Sequence, residues 1–400
     1  MSKNFYDENS ADLVARINDL IGHQDEIFNF LIIGSGMIGR EHMRVATLLG
    51  GARVHGIYDT CEESMDFAEA EFKKYSEEEI VRYESLLSAC MDPKIDVILI
   101  CTPNFTHYEV LSNVARSGKP LFVEKPMATS LKDGAEILKF SDDYPAFVQV
   151  GMQYRYKSQY LDAFHEVKKL KSLGDIKTIS MSEYRPPFLD KVKQWNKFNE
   201  FSGGTFVEKC CHYFDLINLM ADSTALDVYA SGGRAVNFLD FEYKGRKSDI
   251  DDHGFVIINY SNGIRANFTL NMFSNEFYEE LVVTGERGRL VASENGSIDK
   301  RKESRSAITV EVLGHPYYEE YEVGYPEHVE KSGHHGATFF EQAALINKLQ
   351  NKNEDAATPK QGLEAMLIAS AAQKSLIENK VINISEYAKQ NGLGDLLNVT

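Results

Sequence analysis

The chain has 400 residues, 43% of them hydrophobic, and a formal net charge of −17 from 60 acidic against 43 basic side chains. The apolar share supplies sizeable cores and excludes a disordered chain, the length suits two or three domains, and the acid excess argues against nucleic acid as a general partner. The five cysteines are odd in number and irregularly spaced, which implies no disulfide framework and suits a reducing compartment. The N-terminal MSKNFYDENS lacks the basic and apolar regions of a signal peptide, and no apolar run approaches the roughly 18 residues that span a membrane. A soluble cytoplasmic protein is expected.

Residues 11–22 have helical periodicity and belong to an extension, 1–27, that either covers the first domain or contacts another subunit. A buried strand at 28–33 then runs through glycines into a helix at about 38–49. ARVHGIYD (52–59) is a second strand ending in Asp59, followed by a helix rich in Glu and Ala. IDVILICTP (95–103) is apolar on both faces, as a parallel sheet covered by helices requires. Helix 107–119, strand 120–126, helix 130–143 and strand 146–156 continue the alternation. Such alternation predicts an α/β domain with a doubly wound parallel sheet, placed at 28–154.

From 155 to 400 the pattern changes. A helix at 158–171 and a long strand, IKTISMSEYR, precede a helix that starts at Gly203-Gly204. LDVYASGGRAV, GFVIINYS, IRANFTLNMF and EELVVTGERGRLVAS alternate as antiparallel strands, and helical segments at 337–349 and 361–378 close the chain. This half is predicted to be an α+β domain round a large, open, mostly antiparallel sheet.

Gly34-Ser35-Gly36-Met37-Ile38-Gly39 fits GxGxxG, with a strand before it, a helix after it and Asp59 ending the next strand. The glycines permit a tight turn and close approach of a pyrophosphate to the helix N-terminus, where N–H groups and the dipole favour anions. Asp59 would accept from ribose hydroxyls and repel a 2′-phosphate, which favours NAD over NADP. Strand carboxyl ends line the crevice of such sheets. Thr102, Asn104 and His107 after one strand, and Glu124 and Lys125 after another, are therefore expected at the cofactor, with Pro126 fixing the turn that follows.

The segment GGTFVEKCCHYFDLINLM (203–220) sets Glu208, Lys209, Cys210, Cys211, His212 and Asp215 in an otherwise apolar run. Metal ligands, a thiol nucleophile, an acid–base site and a satisfied structural network all fit that composition. In a continuous helix Glu208, His212 and Asp215 would share one face. Adjacent cysteines on a helix point about 100° apart and no second ligand pair follows, so no metal is expected. Packing is the simpler role for both thiols.

GSGMIG, CTPNFTH, VEKPMA, QVGMQYRY, GGTFVEKCCH and VTGERGRL, in that order, resemble the Gfo/Idh/MocA family of nicotinamide-dependent oxidoreductases from about residue 28 onward. The resemblance implies a Rossmann domain, a C-terminal α/β domain with an open sheet, a homodimer or homotetramer built through that sheet, and sugar, cyclitol or derivative substrates. It also implies that Lys125 is the family's EKP lysine and His212 its catalytic histidine. Glu208 stands where the family usually has Asp. The carboxylate is kept on a side chain one methylene longer. On this reading His212 accepts the hydroxyl proton, Lys125 stabilises the developing alkoxide and Glu208 either holds a neighbouring hydroxyl or tunes His212, while Asp215 braces the histidine or its helix. Arg155, Tyr184 and Trp195 are candidate substrate contacts, and Tyr154 and Arg185 beside them are candidates to reach the same pocket. Relatives that cleave glycosides by transient oxidation, or that bind NAD without catalysis, are the alternatives.

Overall fold

The computed structural model describes residues 3–296, 304–314, 319–352 and 354–397. Six parallel strands form the first sheet: β1 (Phe28–Ile33), β2 (Ala52–Tyr58), β3 (Val81–Arg82), β4 (Val97–Ile100), β5 (Leu121–Glu124) and β6 (Val148–Gly151). Their spatial order is β3-β2-β1-β4-β5-β6. All of β4 and β5 is buried, because helices such as Met37–Ala46 and Leu131–Asp143 cover both faces. The order reverses between β1 and β4. The crevice beyond their carboxyl ends is where ligands bind in such sheets.

The strands are shorter than the apolar runs suggest. The run at 95–103 pairs only over Val97–Ile100, and that at 146–156 only over Val148–Gly151. After Gly151 the chain enters a 3-10 turn, Gln153–Tyr156, that carries it to the second sheet.

The second sheet has nine strands: β7 (Ile176–Tyr184), β8 (Ala225–Gly233), β11 (His253–Tyr260), β12 (Arg265–Asn271), β13 (Phe277–Gly285), β14 (Gly288–Gly296), β15 (Arg305–Val312), β16 (Glu319–Val323) and β17 (Ile382–Asn383). The short strands β9 (Glu242–Tyr243) and β10 (Arg246–Lys247) pair separately as a ribbon. The order is β16-β15-β14-β13-β7-β12-β11-β8-β17, antiparallel throughout except where β7 meets β12. One face packs on the helices Cys211–Ala221 and Pro359–Glu378. Thr358 and Gln361 form a capping box at the start of the second of these, with Pro359 in its first turn. Among the described residues no helix is long and apolar enough to cross a membrane.

The N-terminal extension lies on its own chain. Its helical stretch splits at Arg16 into Ser10–Ala15 and Ile17–Ile21. Leu20 O accepts from Gly50 N at 2.9 Å beside the first sheet, and Ser10 N donates to Asp162 Oδ1 at 2.5 Å on the helix Ser158–Phe164. Phe5 packs on Phe164 with ring centroids 5.1 Å apart. The extension therefore ties the first sheet's surroundings to the helix that follows the crossover.

Candidate active site

The glycine loop is built by close approach. A Cβ on Gly34 would stand 2.6 Å from the backbone of Cys101 at the end of β4, and one on Gly39 would stand 2.0 Å from Gly34 O. Gly34 also has φ +94°, a left-handed conformation suited to glycine. A Cβ on Gly36 would meet nothing within 4 Å, so that face of the loop is open. Gly36 is the N-cap of Met37–Ala46, and Met37 and Ile38 form its first turn. Ser35 Oγ is buried without a partner beside this opening. Asp59 accepts from Ser35 N at 2.7 Å and Cys61 N at 2.9 Å, which fixes the loop and leaves each oxygen a further lone pair. Glu62 and Glu63 follow in the next helix, so the surroundings disfavour a 2′-phosphate. The set fits NAD: an open anion cradle at a helix start, and a carboxylate placed for a ribose diol.

Two residues expected at the cofactor face elsewhere. His107 has Nδ1 2.8 Å from Pro126 O and Nε2 2.8 Å from Thr102 O, so it clamps the loops after β4 and β5 together. Burial pushes its pKa down. Glu124 turns into the interior, where Oε1 lies 2.8 Å from His42 Nε2. With Glu341, these form a buried cluster whose ligand-type atoms lie within 4.8 Å of one another. Burial, then the Glu124 and Glu41 charges, push the Glu341 pKa well above the usual carboxylate range. Thr102 Oγ1 accepts from Thr106 Oγ1 at 2.8 Å, and Asn104 Nδ2 reaches Ser202 O at 3.4 Å, just before Gly203.

The helix expected from Gly203 onward is broken. Thr205–Glu208 forms one turn and Cys211–Ala221 the next helix, so Glu208 and His212 do not share a continuous helical face. At the break Lys125 Nζ donates to Glu208 O at 2.9 Å, across 83 positions of sequence. This contact brings the end of β5 to the segment that carries His212. Although burial opposes it, the Glu208 and Glu124 charges raise the Lys125 pKa, so the ammonium stays charged. The Glu208 carboxylate lies 3.1 Å from Lys191 Nζ. Burial works against its charge, yet Lys191 and Lys125 hold it down to about 2.

His212 is 2% exposed and its Nδ1 is buried without a hydrogen-bond partner. Burial, then Lys125 and Lys209, lower its pKa well below the usual imidazole value, so the ring is neutral at pH 7. Its ring lies flat on that of Tyr154, 4.0 Å away at 4°. Burial raises the Cys211 thiol to about 12 and Cys210 well above its ordinary value, so both stay protonated packing groups.

Of the candidate substrate contacts, Arg155 does not face an opening. It is fully buried and bidentate to Asp215, with Nε 2.8 Å from Oδ2 and Nη2 2.6 Å from Oδ1. Asp215 therefore braces its helix through Arg155 rather than bracing His212. Tyr184 is 38% exposed and points to the other face of the sheet from Glu183, since neighbours in a strand alternate. Trp195 is buried in the turn Val192–Lys197, with Lys191 Nζ 4.4 Å from its ring centroid, so it backs the lysine that pairs with Glu208.

The sequence places Tyr154 near the pocket but gives no sign of its stacking on His212, and it does not single out His334. His334 lies in a loop where it and His335 have φ values of 40° and 54°. Its Nδ1 is 2.6 Å from Glu41 Oε1, and its ring centroid is 6.3 Å from that of Tyr154. The paired histidines between Gly333 and Gly336, just before a helix, were the available signal.

Residues 28–152 match the model of an oxidoreductase family with an NAD-binding Rossmann fold, Gfo/Idh/MocA, and residues 168–384 match that family's C-terminal alpha/beta domain. An uncharacterized oxidoreductase of Bacillus subtilis (strain 168), YrbE, is 27% identical over 367 residues, covering 90% of this chain and 97% of its own. Inositol 2-dehydrogenase of Rhizobium meliloti (strain 1021) is 24% identical over 359 residues, covering 89% and 99%. A levoglucosan dehydrogenase solved with NADH and levoglucosan shares the fold, with a TM-score of 0.72 at 18% identity over 90% of this chain and 100% of its own. The chain belongs to the Gfo/Idh/MocA family of oxidoreductases, and its six-stranded sheet is that family's NAD-binding Rossmann fold.

Proposed function

We propose that this chain is an NAD-dependent dehydrogenase that oxidises a secondary hydroxyl of a sugar, cyclitol or related polyol. The observation that carries the reading is the 2.9 Å contact from Lys125 Nζ to Glu208 O, which sets a charged ammonium beside the segment bearing a neutral histidine. The inositol and levoglucosan dehydrogenases among the relatives support the substrate class.

The neutral imidazole of His212 accepts the proton of the reacting hydroxyl. Lys125 has three N–H donors and uses one on Glu208 O, which leaves two for the oxygen as its negative charge develops. Glu208 stays ionised beside Lys191 and accepts from a neighbouring hydroxyl. Bound NAD supplies the hydride acceptor. Gly34, Gly36, Met37, Ile38, Gly39 and Asp59 hold the nucleotide, with Thr102 and Asn104 at the adjoining strand end.

A panel of inositols and sugars, read by NADH absorbance, tests the proposal. Lys125→Ala and His212→Ala should each lower kcat by about 10²–10⁴ while NAD titrates normally. Free sugar released from a glycoside without NADH would point instead to redox-neutral cleavage. We also propose a homo-oligomer built through the outer face of the second sheet, where Phe255 and Ile257 are 59% and 49% exposed on β11. Light scattering should give a multiple of 45.2 kDa, and a monomer would refute it.

A further inference from the structure

Three glutamates stand in one row across the second sheet. Glu183 on β7 is registered against Glu279 on β13, and Glu279 against Glu294 on β14; all are fully buried. Like charges placed directly opposite weaken a sheet, and a buried carboxylate needs a partner. The partners come from the layer that carries the active site. Lys157 Nζ lies 2.5 Å from Glu279 and 2.8 Å from Glu294, and Lys209 Nζ lies 3.0 Å from Glu183. Tyr213 and Tyr160 hydroxyls donate to the two oxygens of Glu279 at 2.7 and 2.9 Å. Well-packed hydrophobic residues often replace buried ion pairs with no loss of stability. Stability alone therefore does not account for the row.

Both ammoniums that the row holds lie against one ring. Lys209 Nζ is 2.7 Å from Tyr154 Oη, and Lys157 Nζ is 4.5 Å from the Tyr154 ring centroid. That ring is the one stacked flat on His212 at 4.0 Å and 4°. A hydrogen bond to Nδ1 commonly orients a catalytic imidazole. Here Nδ1 has no partner, and the nearby Asp215 is committed to Arg155.

We propose that Tyr154 is the positioning residue for His212, that Lys209 anchors Tyr154, and that the glutamate row holds Lys209 and Lys157 in place. The stack sets the plane of the imidazole in the absence of a hydrogen bond. This rests on the reading of His212 as the proton acceptor. A base displaced by about 1 Å loses on the order of a hundredfold in rate, which sets the scale of the expected effect.

The test compares Tyr154→Leu, Tyr154→Phe and Lys209→Met in the full-length protein. It measures kcat and KM on a polyol that the parent oxidises, and the ring ¹⁵N signals of His212 with NAD present. Tyr154→Leu should lose kcat by roughly 30- to 100-fold with KM within about threefold, and the His212 ring should give broadened or multiple signals. Tyr154→Phe keeps the aromatic ring but loses the Lys209 contact to Oη, so its kcat should lie between those of the parent and Tyr154→Leu. Lys125, Lys209 and Lys157 are the ammonium groups acting on His212, the His334 imidazole is a further titratable neighbour, and Glu208 and Asp215 are the carboxylates on its own segment. Removing the Lys209 charge should therefore shift the acid limb of the kcat/KM profile to higher pH. The proposal is overturned if Tyr154→Leu keeps both rate and a single set of ring signals, or if Tyr154→Phe loses as much as Tyr154→Leu. If His212→Ala were as active as the parent, the dehydrogenase mechanism would fall, while the ring signals would still test the stack.

Discussion

Breaking the Arg155–Asp215 pair should cost more than any surface substitution. Both side chains are almost wholly buried, at 0% and 2% exposure, so neither can be rehydrated without opening the fold. The pair joins the turn Gln153–Tyr156 to the helix Cys211–Ala221, and Gln361 adds a contact to Nη2 at 3.1 Å from the helix Pro359–Glu378. Arg155 Nη1 already lacks a partner. In Asp215→Ala the guanidinium would keep one neutral acceptor, so the loss belongs in the range of about 3–5 kcal/mol known for a stranded buried charge. With a urea slope of about 2–3 kcal/mol/M, the midpoint should fall by about 1.5 M. The single tryptophan, Trp195, reports this half of the chain by fluorescence, and circular dichroism recorded in parallel tests whether the transition is two-state. The double variant Arg155→Met with Asp215→Leu removes both charges and should recover most of the loss, with a coupling of at least about 2 kcal/mol. A midpoint shift under about 0.3 M for Asp215→Ala, or a double variant no more stable than the worse single, would refute the reasoning.

Gly36→Ala and Gly39→Ala should separate binding from folding: the first places a methyl in open space where pyrophosphate is expected, the second drives one to 2.0 Å from Gly34 O. Calorimetry should show weakened NAD binding with unchanged melting for Gly36→Ala, and a lowered melting temperature for Gly39→Ala. Acid should destabilise the fold through two groups with depressed folded pKa values. Glu208, at about 2, contributes stability that is present above its unfolded value and is lost as pH falls toward 2. His212, buried neutral, takes up a proton only on unfolding, so stability also declines as pH falls below about 6.5. Urea midpoints at about pH 7.5, 6, 4.5 and 3 should decrease in that order, and Glu208→Gln should flatten the part of the curve below about pH 4.5.

The parallel sheet is legible in the sequence because covered strands must be apolar on both faces, and VILI and LFVE have no other comfortable setting. The glycine loop is legible for the same kind of reason, since strand, turn and helix each constrain it locally. The break at Lys209 is not. The periodicity of GGTFVEKCCHYFDLINLM continues through it, and the Glu208 carbonyl meets a lysine 83 positions away. Arg155 shows the same limit: its position after the crossover strand suggests a pocket, while its partner lies 60 positions downstream. The placement of Tyr184 was available from alternation, because Glu183 and Tyr184 occupy opposite faces of β7. The glutamate row could not be read from the sequence, because it depends on the register of three strands.

The most direct test of the central claim is NADH formation on the polyol panel by the parent, Lys125→Ala and His212→Ala, with NAD and NADP titrated against each protein. The account predicts tight NAD and weak NADP binding in all three, with NADH formed in step with a carbonyl product by the parent and reduced by about 10²–10⁴ in both variants. Absence of NAD binding, or a Lys125→Ala protein that turns over like the parent, would contradict it.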